Sequence, residues 1–293
     1  MGSSRNVGGP ARLVLLALLA VSLATPARAA CCAGRLIDAH GHLPNAQAID
    51  AYVAAMKRHD VAKVVLLGVG GVQKEDASWI AAAVRKYPDR VIAGVALPDP
   101  ASPEAAARLD GELARGLGRA IGEVHVRQVS RKIDRDPSDP AFGKILEVSA
   151  RRAVPVVIHQ ELDERAAARL ATALAAHPKA TIVLAHGGSA TPPVLAGLLG
   201  RHANLVVDLS GLHFQRKPAL ATETGPLDPE WKKLIERMPD RFLIGIDAWA
   251  PRLFEPAMLD RLMQWTRRIL GELTPDAAEQ VAWKNAARLY RAD

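Results

Sequence analysis

From Arg35 onward the chain alternates short β-branched apolar runs with longer stretches in which apolar residues recur at helical spacing. Eight runs are present: Arg35 to His40, Ala62 to Gly68, Val91 to Leu97, Ala120 to Val126, Val154 to His159, Thr181 to His186, Leu205 to Leu209 and Phe242 to Asp247. Their last residues fall 23 to 38 positions apart, the cadence of a repeated βα unit. Most are apolar throughout, as in Val64-Val65-Leu66-Leu67 and Val156-Val157-Ile158, which suits parallel strands buried on both faces. Between them, Ser102-Pro103, Asp139-Pro140, Thr191-Pro192, Asp228-Pro229 and Thr274-Pro275 each set a capping residue before a proline at the first helical position. The pattern predicts an α/β chain folded as a (β/α)8 TIM barrel over residues 35–293, close to the roughly 250 residues usual for that fold. An open doubly wound sheet would carry a Gly-rich phosphate loop after its first strand. Gly68-Val69-Gly70-Gly71 follows the second and lacks the rest of that pattern, so it reads as a flexible loop.

Ahead of the repeat, Arg5 and Arg12 precede the run Leu13 to Ala24, and Pro26-Ala27-Arg28-Ala29 has the small-x-small pattern of a signal-peptidase site. The run is too short for a membrane span, which needs about 20 residues. These features predict a signal peptide over 1–29, a tail over 30–34, and secretion, with the periplasm as destination; no later stretch is long and apolar enough to span. At 49% hydrophobic and 24% charged the composition is globular, and with 4% aromatics the core must be filled by Ala, Leu and Val. The net charge of +7 falls to +4 once Arg5, Arg12 and Arg28 are removed. No Lys/Arg cluster interleaves with aromatics, so the surplus reads as solvated surface and no nucleic-acid partner is expected. Cys31 and Cys32 are the only cysteines, so any metal must be held by His and carboxylates. Lipoprotein acylation at Cys31 is the weaker reading, because Arg28 stands where an aliphatic residue is expected. Otherwise the pair links chains or takes a small thiol.

The histidines carry most of the chemistry. His59, His177 and His202 sit near predicted helix ends as polar or capping residues. The other six, His40, His42, His125, His159, His186 and His213, lie at or just beyond the C-terminal ends of the apolar runs. In a barrel those ends converge on the face where active sites of this fold are built. Residues two apart on a strand point the same way, so His40 and His42 can share one cation. The same parity turns Glu123 and His125 inward while Val124 and Val126 face the helices; His159, His186 and Asp247 each add one inward polar group. Four histidines and two carboxylates around one mouth make a site for zinc or another first-row divalent ion. Substrate contacts are expected from the long loop Ser210 to Leu227, with His213, Gln215, Arg216 and Lys217, from Trp249 and Arg252 after Asp247, and from Glu161. Arg216 or Arg252 suits a carboxylate-bearing substrate, or else is a solvent-exposed charge.

Ile37-Asp38-Ala39-His40-Gly41-His42, Ile158-His159, Leu184-Ala185-His186-Gly187-Gly188, Gly245-Ile246-Asp247 and the closing stretch Lys284-Asn285-Ala286-Ala287-Arg288-Leu289-Tyr290 form a specific set in this order. With them the chain resembles the metal-dependent amidohydrolase superfamily, in its amidohydrolase-related branch, over about residues 35–293. The resemblance implies that His40, His42 and Asp247 bind the more buried ion and that His159 and His186 bind or face a second. It also implies a bridging group on the fourth strand, here Glu123 as in TatD-like members, where many relatives have a carboxylated lysine. Many members of this branch use one ion and no bridge, with the sixth-strand histidine, here His186, acting on substrate. In that case Glu123 orients a histidine instead. A divalent ion activates water and polarises a carbonyl or phosphoryl group, and Asp247 then carries the proton to the leaving group. His125 is open between ligand, proton shuttle and substrate contact.

These features predict a secreted metal-dependent hydrolase of a small-molecule amide, ester or lactone, with one or two ions, zinc foremost, and a homo-oligomer as one possible assembly. The alternatives are a metal-dependent non-oxidative decarboxylase, a phosphoesterase, and a non-catalytic periplasmic barrel that binds metal or ligand.

Overall fold

A computed structural model describes residues 1–2, 34–70 and 75–292. The chain divides into two units, Met1–Ala30 and Cys31–Asp293. Apart from Met1 and Gly2, the expected signal peptide lies outside the described residues, as do Cys31, Cys32 and Gly71.

In the second unit, β1 (Leu36–Gly41), β2 (Val61–Leu66), β3 (Val91–Val95), β4 (Ala120–Gln128), β6 (Val156–Gln160), β7 (Ile182–Leu184), β8 (Leu205–Asp208) and β9 (Phe242–Leu243) pair in parallel in that order, with β5 (Ile133–Asp134) off the path. Beyond β9 the chain closes the ring on β1: Ala39 N–H donates to Ile244 O at 3.0 Å, Asp247 N–H to His40 O at 2.8 Å and His42 N–H to Ala248 O at 3.1 Å. Asp38 ties the same seam, its Oδ1 accepting from the N–H groups of His40 and Ile246. The result is the expected eight-stranded parallel barrel, nearly closed. Among the described residues no helix is long and apolar enough to cross a membrane.

Alternation along the strands makes two cores. Ile37, Val65, Leu67, Val157, Val183 and Leu243 fill the barrel, plugged from below by Tyr290 of α10 (Asn285–Tyr290). Val64, Leu66, Ile121, Ile158, Leu184 and Val207 face the helices. Those are α1 (Ala48–Arg58), α2 (Asp76–Lys86), α3 (Ala105–Ala114), α4 (Pro140–Arg152), α5 (Glu164–Ala176), α6 (Pro192–Arg201), α7 (Pro229–Arg237), α8 (Pro256–Gly271) and α9 (Pro275–Glu279). His59, His177 and His202 each follow the last residue of a helix, as expected. Four of the five cap-proline pairs open helices; Ser102-Pro103 instead forms a turn before α3.

Several boundaries differ from the sequence pattern. β4 runs to Gln128 and turns back as a hairpin with β5, Arg127 facing Asp134 and Gln128 facing Ile133. The runs expected to end at His186 and Asp247 stop at Leu184 and Leu243, because both residues sit at left-handed φ, 56° and 55°. Extended pairing cannot pass through that conformation.

Capping gives the first prediction. Asp228 caps α7 with two bonds, accepting from Glu230 N at 2.9 Å and Trp231 N at 3.2 Å, whereas Thr274 makes no side-chain bond at the start of α9. Asp228→Ala should cost about 1 kcal/mol and lower Tm by roughly 2–4 °C. Thr274→Ala should leave Tm within about a degree, as scanning calorimetry of both variants would show.

Candidate metal centre

Strand irregularities, more than simple alternation, aim the ligands. β1 breaks register between Asp38 and Gly41, so Asp38 turns to bond the hydroxyl of Tyr52 on α1 while His40 turns to the mouth. β4 breaks register between Ile121 and Val124. Gly122 stands there at φ 124°, where a Cβ would lie 2.5 Å from Val157 O. Gly68 at the end of β2 donates to Gly122 O and accepts from Glu123 N–H, both at 3.0 Å, reaching across the short β3 and fixing Glu123 at the centre of the mouth. Bulges beside active sites commonly re-aim side chains in this way.

His40, His42, Glu123, His125, His159, His186 and Asp247 come together, each at most 6% exposed. Three histidines are oriented from behind. His40 Nδ1–H donates to Asp208 Oδ2 at 2.7 Å, His42 Nδ1–H to Leu67 O at 2.8 Å and His186 Nδ1–H to Ser210 O at 2.9 Å. With Nδ1 carrying the proton, a neutral imidazole presents a bare lone pair at Nε2. Those nitrogens face one another and carboxylates: His40 Nε2 lies 3.0 Å from His42 Nε2, and His186 Nε2 lies 3.3 Å from Glu123 Oε1. Were all three rings neutral, acceptor would meet acceptor at both contacts. Two nitrogens 3.0 Å apart can both reach an ion at bonds of about 2.0–2.1 Å, so the donor set fits a divalent metal.

Among the described residues, ligand atoms cluster in three groups: His40, His186 and Asp247; His40, His42 and Glu123; and Glu123, His125 and His159. Glu123 belongs to two of them. Its Oε1 approaches His159 Nδ1 at 3.1 Å and its Oε2 approaches His125 Nε2 at 3.2 Å and His42 Nε2 at 3.6 Å. Asp247 Oδ1 lies 3.5 Å from His42 Nε2, while its Oδ2 is held by Arg216. Gly211, at φ 68°, passes so close that a Cβ would lie 2.8 Å from Asp247 Oδ2 and 2.9 Å from His186 Nδ1.

The titration behaviour reports the same hunger for positive charge. Burial drives the His40 imidazolium down, but its hydrogen bond to Asp208 and the nearby Glu123 and Asp247 outweigh that and raise it to about 10. His42, buried beside that cation, falls to about 4. In the metal-free chain a proton therefore occupies the His40–His42 contact. Burial acts to raise Glu123, yet hydrogen bonds from His125, His159 and His186 hold it well below the usual carboxylate range.

A cavity of about 290 Å³ opens over these groups. Of the expected substrate contacts, His213, Trp249 and Arg252 line it, as does Arg216; Lys217 is exposed, and Glu161 lies outside the lining, 3.8 Å from His159 Nε2. Gln128, Ser130 and Arg131 of the β4–β5 hairpin add a wall that the strand pattern did not suggest. His213 Nδ1 accepts from Gln215 N–H, and burial pushes its pKa down to about 4, so its proton sits on Nε2, which has no partner among the described residues. Sequence reasoning also missed Asp208 and Ser210, whose hydroxyl donates to Asp208 Oδ2 at 2.7 Å. Asp208 ends β8, the same signal that found Asp247.

An amidohydrolase family model matches residues 37–292. The chain belongs to the amidohydrolase family. No curated protein matches the sequence. Among solved structures, this amidohydrolase is similar to a probable 2-pyrone-4,6-dicarboxylic acid hydrolase from Acinetobacter baumannii with citric acid bound, with TM-score 0.64 and 14% identity over 87% of this chain and 99% of that one. It is also similar to a 2,6-dihydroxybenzoate decarboxylase from Rhizobium, with TM-score 0.62 and 17% identity over 88% and 98%. An amidohydrolase from Burkholderia multivorans with bound zinc aligns with TM-score 0.61 and 18% identity over 88% and 99%. At these identities the structural likeness speaks for the fold. Membership of the family makes the chain an enzyme of the hydrolase-like type, and its donor set fits a divalent metal.

Asp208 supplies a prediction. Asp208→Ala removes the acceptor that keeps His40 Nδ1 protonated and should weaken metal affinity by about 10- to 100-fold with the ligands intact, as measured by competition with a chromophoric chelator.

Proposed function

We propose that this protein is a secreted, zinc-dependent hydrolase of a small carboxylate-bearing amide, ester or lactone. The observation that carries the reading is Glu123, which belongs to two donor groups, one with His40 and His42 and one with His125 and His159, each of its oxygens facing one histidine of each group. That arrangement favours a carboxylate shared by two ions. Decarboxylases of the branch are generally mononuclear, so it speaks for hydrolysis over decarboxylation. The export of the chain rests on the basic, apolar and small-residue segments of positions 1–29.

A divalent ion held by these residues supplies Lewis-acid polarisation of the scissile group and activation of water. Asp247 is the proton carrier, accepting from water and returning the proton to the leaving nitrogen or oxygen. Its Oδ1 faces His40 and His42 and its Oδ2 is fixed by Arg216, so the carboxylate is oriented before substrate arrives. Arg131, Arg216 and Arg252 place three guanidinium groups on one small cavity, which suits a substrate carboxylate. His213 Nε2–H offers a neutral donor for a further oxygen, and the half-exposed Trp249 a flat apolar wall.

The cationic cavity favours a second reading as well, a non-oxidative decarboxylase of an aromatic acid, the activity named for the Rhizobium relative. Elemental analysis combined with product analysis separates the two. Hydrolysis predicts about two ions per chain, fewer in Glu123→Ala, and acid release from a carboxylated ester, amide or lactone that falls by about 10²- to 10⁴-fold in Asp247→Ala. One ion indifferent to Glu123, with carbon dioxide as product, would replace the hydrolase reading with the decarboxylase.

A further inference from the structure

A second cavity, of about 720 Å³ against about 290 Å³ at the metal centre, lies over β3 and reaches the base of the barrel at Tyr290. It exists because α3 packs onto α4 and the α2 side facing the space is built from short residues. Ala77, Ile80, Ala81 and Val84 line it at helical spacing, so three of four wall positions end at Cβ or close to it. The floor is β3 itself. Ala93, in the middle of that strand, is half-buried, whereas the helix-facing residues of neighbouring strands, such as Leu66 of β2 and Ile121 of β4, are 0–1% exposed. The far wall carries Leu117, 53% exposed.

The rim of this apolar trough is cationic. Lys63, Arg85, Arg115 and Arg119 border it, and none of their side chains has a hydrogen-bond or carboxylate partner among the described residues. Arg291 beside them bonds only the carbonyls of Arg152 and Ala153. One acid, Glu112, lies in the lining, and Arg108 already holds it at 3.0 Å. Five cations against one engaged carboxylate set a strong preference for negative charge, and the volume falls within the roughly 300–1,000 Å³ of small-molecule sites. A second copy docked face to face would bring cations against cations, which disfavours a symmetric dimer here. A single-stranded nucleic acid would stack its bases on exposed aromatic faces among the cations, and the one aromatic residue in the lining, Tyr290, is 1% exposed.

We propose that this groove between α2 and α3 binds a small amphipathic anion, its apolar body lying on β3 and its carboxylate held by the rim that includes Lys63, Arg115 and Arg119. The site is independent of the metal centre and of the reaction assigned there.

Titration calorimetry of the whole chain tests this with dodecanoate below its aggregation concentration, against dodecyltrimethylammonium and inorganic phosphate. One equivalent of dodecanoate should bind, with the cationic surfactant and phosphate at least about tenfold weaker. The Arg115→Glu/Arg119→Glu double variant should lose about 10- to 100-fold in affinity by removing two charge-assisted contacts. Ala93→Trp, which fills the floor without touching charge, should also lose binding. Both variants should keep the metal content of the parent. Equal binding of the two surfactants, unchanged dodecanoate affinity in both variants, or no binding would overturn the proposal. Binding to anionic phospholipid vesicles without binding of monomeric dodecanoate would overturn it in favour of a membrane surface.

Discussion

The mouth of the barrel is organised around one electrostatic constraint: buried lone pairs that have nowhere to go but a cation. His40, His42 and His186 each spend the Nδ1 proton on an acceptor behind the ring, which turns their Nε2 atoms and the carboxylates of Glu123 and Asp247 toward one another. Burying such a set is costly, since each desolvated ion carries a penalty of about several kcal/mol unless it is compensated. A divalent ion compensates it. Without one the chain takes a proton instead, which is why His40 rises to about 10 while its neighbour His42 falls to about 4.

The fold serves that constraint through its irregularities. A regular strand would send Asp38 and His40 to the same side; the break in β1 separates them, giving Asp38 to Tyr52 and the barrel seam and His40 to the mouth. The contact of Gly68 with Gly122 and Glu123 lets β2 and β4 meet over the end of β3 and brings a carboxylate to the axis. His186 and Asp247 leave their strands in left-handed conformations, which cost about 1–2 kcal/mol per residue outside glycine. That local cost is offset by the hydrogen bonds they make, Asp247 N–H to His40 O and His186 Nδ1–H to Ser210 O.

Much of this was legible in the sequence, for physical reasons that can be named. Eight buried strands read as eight apolar runs because both faces are covered, and polar residues at the ends of such runs stand out. His40, His42, His159, His186 and Asp247 were found that way and Glu123 by its strand parity with His125, and the structure brings them together. Asp208 gave the same signal but was hidden inside a run counted only for its apolar residues. The hairpin carrying Gln128, Ser130 and Arg131 was missed because a two-residue strand has no periodicity. Bulges and left-handed turns are equally silent, since they depend on pairing across the barrel. The bond between Arg216 and Asp247 joins a long irregular loop to a turn, and no local pattern encodes it.

A metal ion and a proton compete for the same buried contact between His40 and His42. The most direct measurement adds zinc to metal-stripped protein near pH 8 in weakly buffered solution and counts the protons released per ion bound. The expected result is about one proton per ion at that position, with zinc affinity rising with pH toward about 10, the value to which His40 is raised. Zinc bound with no proton released, or an affinity indifferent to pH across that range, would contradict it.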